Sequence, residues 1–365
     1  MITVNYFHSH IIYKDVSIQL ESKNGNIYLV KENESFYITS LPLTVFQKIA
    51  IRFRLLSRLF RLNISQCVYV SNSIYLLIFK SFILNLNIDT GNIFVEHKFR
   101  KGMSRCLYLQ KIVGVLGFDD MIVYGEYFQN TNHENVSIYF RSILDLNWQK
   151  AFSFSPNMIN HIHNIVADYC CVYVLTGDSD SESGIWRFEN NFSVYQRIIG
   201  GSQLFRCCNL FRFNECFVYA TDSPVSENYL CYIDDFSNLN IEKKYELNGP
   251  SIFSLKVDNN IFFSTSIEPD SRQNYITYLF ARKRSHFIKE NTSNLYWLNE
   301  NGNLQKVFSL EKDCLPGGLF QFGNLHIISA MINNGIIYIV LYITGLRKYD
   351  GCSCIISITL NQNEF

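Results

Sequence analysis

Proline is scarce in this chain of 365 residues, with six in all, which argues against long linkers and proline-rich disordered segments. Net charge is missing too. The 32 basic residues balance 32 acidic ones, so the general basic excess of a nucleic-acid-binding protein is not there. No run approaches the roughly 18 consecutive apolar residues of a transmembrane helix. The opening MITVNYFHSH has no basic stretch leading into an apolar one, as a secretion signal would. Zinc-finger spacing is also absent from the cysteines. They number eleven, an odd count, and Cys352 and Cys354 are separated by one residue. The pairs Cys170-Cys171 and Cys207-Cys208 fall in apolar strand-like runs, where thiols act as small hydrophobes. A reducing, cytoplasmic location is the expectation.

What the chain does have is strand-forming bulk: 48% hydrophobic residues, with 30 Phe and 23 Tyr. Short apolar runs recur at 26–30, 67–79, 112–116, 121–124, 136–140, 172–175, 217–220, 261–264 and 336–343. Turns rich in Asn, Asp and Gly lie between many of them, at 22–26, 87–92, 144–148, 189–192, 234–238 and 299–303. From the second turn onward their spacing is roughly 45 to 65 residues, near the blade period of propeller repeats. The pattern predicts an all-β chain, a β-propeller of about six or seven four-stranded blades occupying residues 1–365 as one domain. One segment departs from it. Over 45–61 the apolar positions follow a helical period, with Arg52, Arg54, Arg58 and Arg61 among them. An amphipathic basic helix is expected there, serving either as a rim element or as a contact for a membrane surface or an anionic partner.

Polar residues collect where apolar strands begin or end. Glu126 and Tyr127 follow the run 121–124, Asp178 closes 172–175 through Thr176 and Gly177, Asp222 follows 217–220, and Glu268 follows 261–264. In a propeller such strand ends face a common cavity, so Glu126, Asp178, Asp222 and Glu268 are candidate catalytic carboxylates. Carboxylates that converge raise one another's pKa unless Arg, His or a metal offsets them. Tyr127, Gln203 and Arg206 are candidate substrate-binding residues, Arg206 as a bidentate donor to an anion. His161 and His163 alternate along a strand and so share a face. With Asp178 they suit a divalent metal or acid–base work.

The turn 142–148, Ser-Ile-Leu-Asp-Leu-Asn-Trp, resembles the Asp box of sialidase-like (bacterial neuraminidase repeat) propellers, and the turns near Asn190 and Asn301 resemble it more faintly. Over 100–345 the arrangement is similar to a branch of that family associated with bacterial surface-polysaccharide loci. The resemblance implies a carbohydrate ligand. It also marks departures: the family's Phe/Tyr-Arg-Ile-Pro motif is absent, and Arg206 alone stands for its arginine triad. His161 and His163 resemble the proton-moving histidines of propeller polysaccharide lyases. The expected function is therefore a carbohydrate-active propeller enzyme acting on an acidic or phosphorylated glycan in its central pocket, by hydrolysis, elimination or transfer. The alternative is a non-catalytic propeller that binds a glycan or a protein.

Overall fold

The short apolar runs become strands because their residues are β-branched or aromatic and turn-forming residues stop them every few positions. The computed structural model describes residues 1–32, 34–234, 236, 240–270, 272 and 274–360. Among these, 28 strands form seven four-stranded antiparallel sheets in which sequence neighbours pair, with one exception. The exception is Ile2–Phe7, which joins the last sheet by pairing with Ser353–Thr359. The chain is an all-β β-propeller of seven blades.

In five sheets the second strand is buried along most or all of its length: Ile74–Phe79, Met121–Gly125, Val172–Gly177, Cys216–Ala220 and Asn260–Ser264. Burial on both faces explains why these strands read as continuous apolar runs instead of alternating ones. The run 67–79 is in fact two strands, Ile64–Ser71 and Ile74–Phe79, hinged at Asn72 with φ 48°. The turn expected at 234–238 lies partly outside the described residues, at 235, 237 and 238.

Two compact units divide the chain: residues 1–63, 224–229 and 245–365, and residues 64–223 and 230–244. In the second unit, Val123, Ile138, Phe154, Ile162, Val174 and Phe188 pack the sheet starting at Leu109–Ile112 against the one starting at His161–Ala167. That layer of side chains fixes the edge from which His161 and His163 project.

The basic segment of the first unit is not one helix. It is two, Val45–Ala50 and Arg54–Leu59, separated by Ile51–Phe53. A capping box between Thr44 and Gln47 starts the first helix, and Phe53 takes an extended conformation before the second. The break lets the arginines reach inward. Arg54 grips Asp350 at 2.7 and 2.9 Å. Arg58, 1% exposed, bonds Asp313 and Asp350 and donates to the Phe320 carbonyl at 2.6 Å. Arg61 donates to the Gly318 carbonyl. Of the four arginines expected to face a membrane or an anionic partner, Arg54 and Arg58 are thus internal anchors, while Arg52 and Arg61 stay exposed, Arg61 with its bond to the Gly318 carbonyl. Among the described residues no helix is long and apolar enough to cross a membrane.

Candidate active site

The strand His161–Ala167 pairs with Val172–Gly177, but the register slips between Ile162 and Asn164, leaving His163 without a partner position. Such a bulge re-aims a side chain. Here it brings His163 Nε2 to 3.1 Å from His161 Nε2. Gly177, opposite, makes the room: a Cβ there would lie 2.4 Å from His163 Cε1. Beyond Gly177 the chain places Asp178 Oδ1 3.3 Å from His161 Nε2, while Asn160 donates to Asp178 Oδ2 at 2.6 Å.

A short turn clamps this corner from the side. Ser202 caps the single 3₁₀ turn Gln203–Phe205. Gln203 Nε2 and Arg206 Nη1 then donate to the Asp178 carbonyl at 2.7 and 3.1 Å. Arg206 Nη2 also meets Asp178 Oδ1 at 3.2 Å, and its Nε lies 3.8 Å from Asp222 Oδ2. Ser223 holds the Gln203 amide oxygen. Tyr127 closes the cluster, its ring 4.3 Å from that of His161. The structure therefore brings together Tyr127, His161, His163, Asp178, Gln203, Arg206 and Asp222.

Of the four carboxylates expected to converge, Asp178 and Asp222 lie in this cluster. The Glu126 carboxylate turns away, to Arg100 at 3.1 Å and the Ser137 N–H at 2.9 Å; burial still raises its pKa against those two partners. Glu268 belongs to the other unit and accepts from the Ser266 hydroxyl. One participant was not foreseen. Cys208, read as a small hydrophobe, donates its thiol to Asp222 Oδ2 at 3.3 Å and sits 3.7 Å from His163 Nδ1. Nothing in an apolar Cys-Cys pair signals that role.

The proton positions follow from the backbone. His163 Nδ1 faces the Cys207 carbonyl at 3.0 Å and His161 Nδ1 faces the Phe128 carbonyl at 3.4 Å. A carbonyl only accepts, so both Nδ1 atoms carry hydrogen. Both Nε2 lone pairs then point toward one another and toward a carboxylate, which calls for a positive charge among them. Burial, assisted by His161 and Arg206, lowers the His163 pKa to about 3, so its ring stays neutral. Burial opposes ionisation of Asp178, yet His161 and Arg206 hold it well below the carboxylate range. Burial pushes Asp222 up while Arg206 pulls it down, with a net rise. The Cys208 thiol is pushed up by burial and by Asp222. Burial, then Asp178 and Asp222, raise the Tyr127 phenol.

These atoms fit a divalent cation. His161, His163 and Asp178 each offer a ligand atom within 4.8 Å of the others. A cation about 2.0–2.2 Å from nitrogen and oxygen ligands sets neighbouring ligands about 3.0–3.5 Å apart. The two measured separations, 3.1 and 3.3 Å, fall inside that range. Both imidazoles also present the Nδ1–H to carbonyl bonds that orient metal-binding histidines. The overlapping set of His163, Cys208 and Asp222 fits less well, because its thiol and its Nδ1 both hold protons.

No family model matches the chain, and no curated protein matches it. Solved structures do. The AfRom2 CNH domain superposes with a TM-score of 0.56 at 7% identity, covering 99% of this chain and all of that one. An oligogalacturonate lyase from Vibrio parahaemolyticus gives 0.53 at 9% identity, covering 99% of this chain and 91% of that one. An oligogalacturonate lyase in complex with manganese gives 0.52 at 9%, with the same coverage. At such identities the likeness is one of fold, and that fold is the seven-bladed β-propeller.

Proposed function

We propose that this chain is a carbohydrate-active propeller that cleaves an acidic glycan by elimination at the His161–His163–Asp178–Arg206 cluster. The observation that carries the reading is the pair of Nε2 atoms, 3.1 Å apart, aimed at a carboxylate beside an arginine. The fold likeness to a lyase solved with manganese adds to it. Hydrolysis asks for two carboxyl groups free to act as acid and as nucleophile or base. Here Asp178 is tied to Arg206 and His161, Asp222 to Cys208 and Arg206, and Glu126 to Arg100. Elimination asks instead for positive charge on a uronate carboxylate and for a proton carrier.

His161, His163 and Asp178 would hold the cation, which when bound supplies positive charge to a substrate carboxylate. Arg206 adds a second positive group for the same anion. In the reaction a proton leaves the carbon next to the carboxylate and the carbon–oxygen bond to the departing sugar breaks. A carbon–carbon double bond forms, and the departing oxygen ends with a proton. Tyr127, packed on His161 and held protonated by burial and by Asp178 and Asp222, is placed to serve both ends. Its phenol gives its proton to the departing oxygen, and its oxygen takes up the proton released from the carbon, so the side chain ends as it began.

The test is incubation of purified protein with oligogalacturonate, with and without added manganese. The ultraviolet absorbance of the unsaturated product should rise in wild type and not in Arg206→Gln or Tyr127→Phe. Manganese and oligogalacturonate binding with no absorbance change would leave a binding propeller, and no binding of either would end the reading.

A further inference from the structure

The first unit contains a half-enclosed cavity of about 180 Å³, well above the roughly 10–15 Å³ one ordered water needs. One wall is the hairpin turn Asn24-Gly25, with φ of 53° and 84°, which carries Lys23. Another is the helical segment carrying Arg52 and Arg54, and Tyr342 and His10 line the cavity as well. Gly25 is required at this lip: its φ is positive, and a Cβ would lie 2.7 Å from Leu43 Cδ1.

The charge here is lopsided. Among the described residues no carboxylate lines the cavity. Lys23 and Arg52 are exposed and make no ion pair among the described residues. Behind the wall, Arg54, Arg58 and Lys312 share two carboxylates, Asp313 and Asp350, so three cations face two anions. His10 is 7% exposed and stacks on Tyr342 with centroids 3.7 Å apart. Its ring nitrogens have no hydrogen-bond partner among the described residues. Burial, then His326 and Arg54, hold its pKa well below the usual value, so the ring is neutral and has one N–H to donate. That N–H is open to a ligand in the cavity.

We propose that this cavity binds a phosphomonoester. Two free cations match its two negative charges, whereas a single carboxylate would neutralise only one. Lys23 and Arg52 pair with the phosphoryl oxygens, Arg52 as a fork. His10 donates a neutral hydrogen bond, and the Ser22 and Tyr342 hydroxyls line the space for the rest of the ligand. The inference stands apart from the histidine–aspartate cluster of the other unit and does not depend on it.

Calorimetric titration of the full chain, freed of metal by a chelator that is then dialysed away, tests it. The probes are glycerol phosphate, inorganic phosphate and glycerol. Saturable binding of the two phosphates but not of glycerol is expected. It should weaken about tenfold or more in Lys23→Gln/Arg52→Gln and stay unchanged in His163→Ala. Both substituted positions of the double variant are exposed, and its circular dichroism should match wild type. No saturable binding up to about 10 mM phosphate ester would overturn the proposal. So would equal affinity in the double variant, or binding lost in His163→Ala and kept in Lys23→Gln/Arg52→Gln.

Discussion

His161 and His163 approach through their Nε2 atoms, 3.1 Å apart, while each hands its Nδ1 hydrogen to a different backbone carbonyl. With both Nε2 atoms left as acceptors the contact would be repulsive, and a cation shared with Asp178 would relieve it. Wild-type protein should therefore bind manganese or zinc with measurable heat at neutral pH. His161→Ala and His163→Ala should each weaken that binding by at least about 10–100-fold, the range that loss even of an outer partner produces. Equal affinity in both variants would place the metal elsewhere.

The lowered pKa of His163 sets a pH dependence for the metal-free protein. Unfolded, its imidazole titrates near 6.5; folded, near 3. Between those values the unfolded chain binds more protons, so stability rises with pH. The penalty is absent above about 6.5 and grows as pH falls, by up to ~1.4 kcal/mol per pH unit. Urea titrations at several pH values should show wild type losing stability between pH 6.5 and 4 more steeply than His163→Gln. Parallel curves would mean the ring is charged in the fold.

Gly177 is the spacer behind His163. A Cβ at 177 would come within 2.8 Å of His163 Nε2 and 2.4 Å of Cε1, and the neighbouring backbone is held in the sheet by the pairing of Gly177 with His161. Gly177→Ala should cost about 1–3 kcal/mol by overpacking and, more tellingly, remove cation binding in protein that remains folded. Retained affinity would show that the imidazole moves aside without leaving the cluster.

How far the sequence carried depends on what each residue answers to. The runs 172–175 and 217–220 were legible because strands buried on both faces are apolar throughout. The strand ends bearing His161, His163 and Asp178 were legible for the same reason, as polar residues next to such runs. Alternation alone put the two histidines on one face; the bulge and the room at Gly177 that bring their tips together are tertiary facts. Glu126 had the same local pattern as Asp178, but Arg100, 26 positions earlier, claims its carboxylate. Helical periodicity over 45–61 was real. It missed the break at Ile51–Phe53, because Asp313 and Asp350, far along the chain, draw Arg54 and Arg58 inward.

Arg58 is the sharpest test of that inward pull. Its guanidinium is nearly sealed from water, bonded to Asp313, to Asp350 and to the Phe320 carbonyl. Arg58→Met removes the charge and leaves two partly buried carboxylates to Lys312 and Arg54. Removing one partner of a buried pair costs about 3–5 kcal/mol; with those two cations remaining, the loss should sit near the lower end. Arg58→Lys keeps the charge without the fork and should fall between. Arg52→Gln, at an exposed position six residues earlier, should stay within about 0.5 kcal/mol of wild type. Denaturant midpoints of the three variants decide the matter. An Arg58→Met as stable as Arg52→Gln would mean that the basic segment is held by its apolar contacts and the arginines merely accompany it.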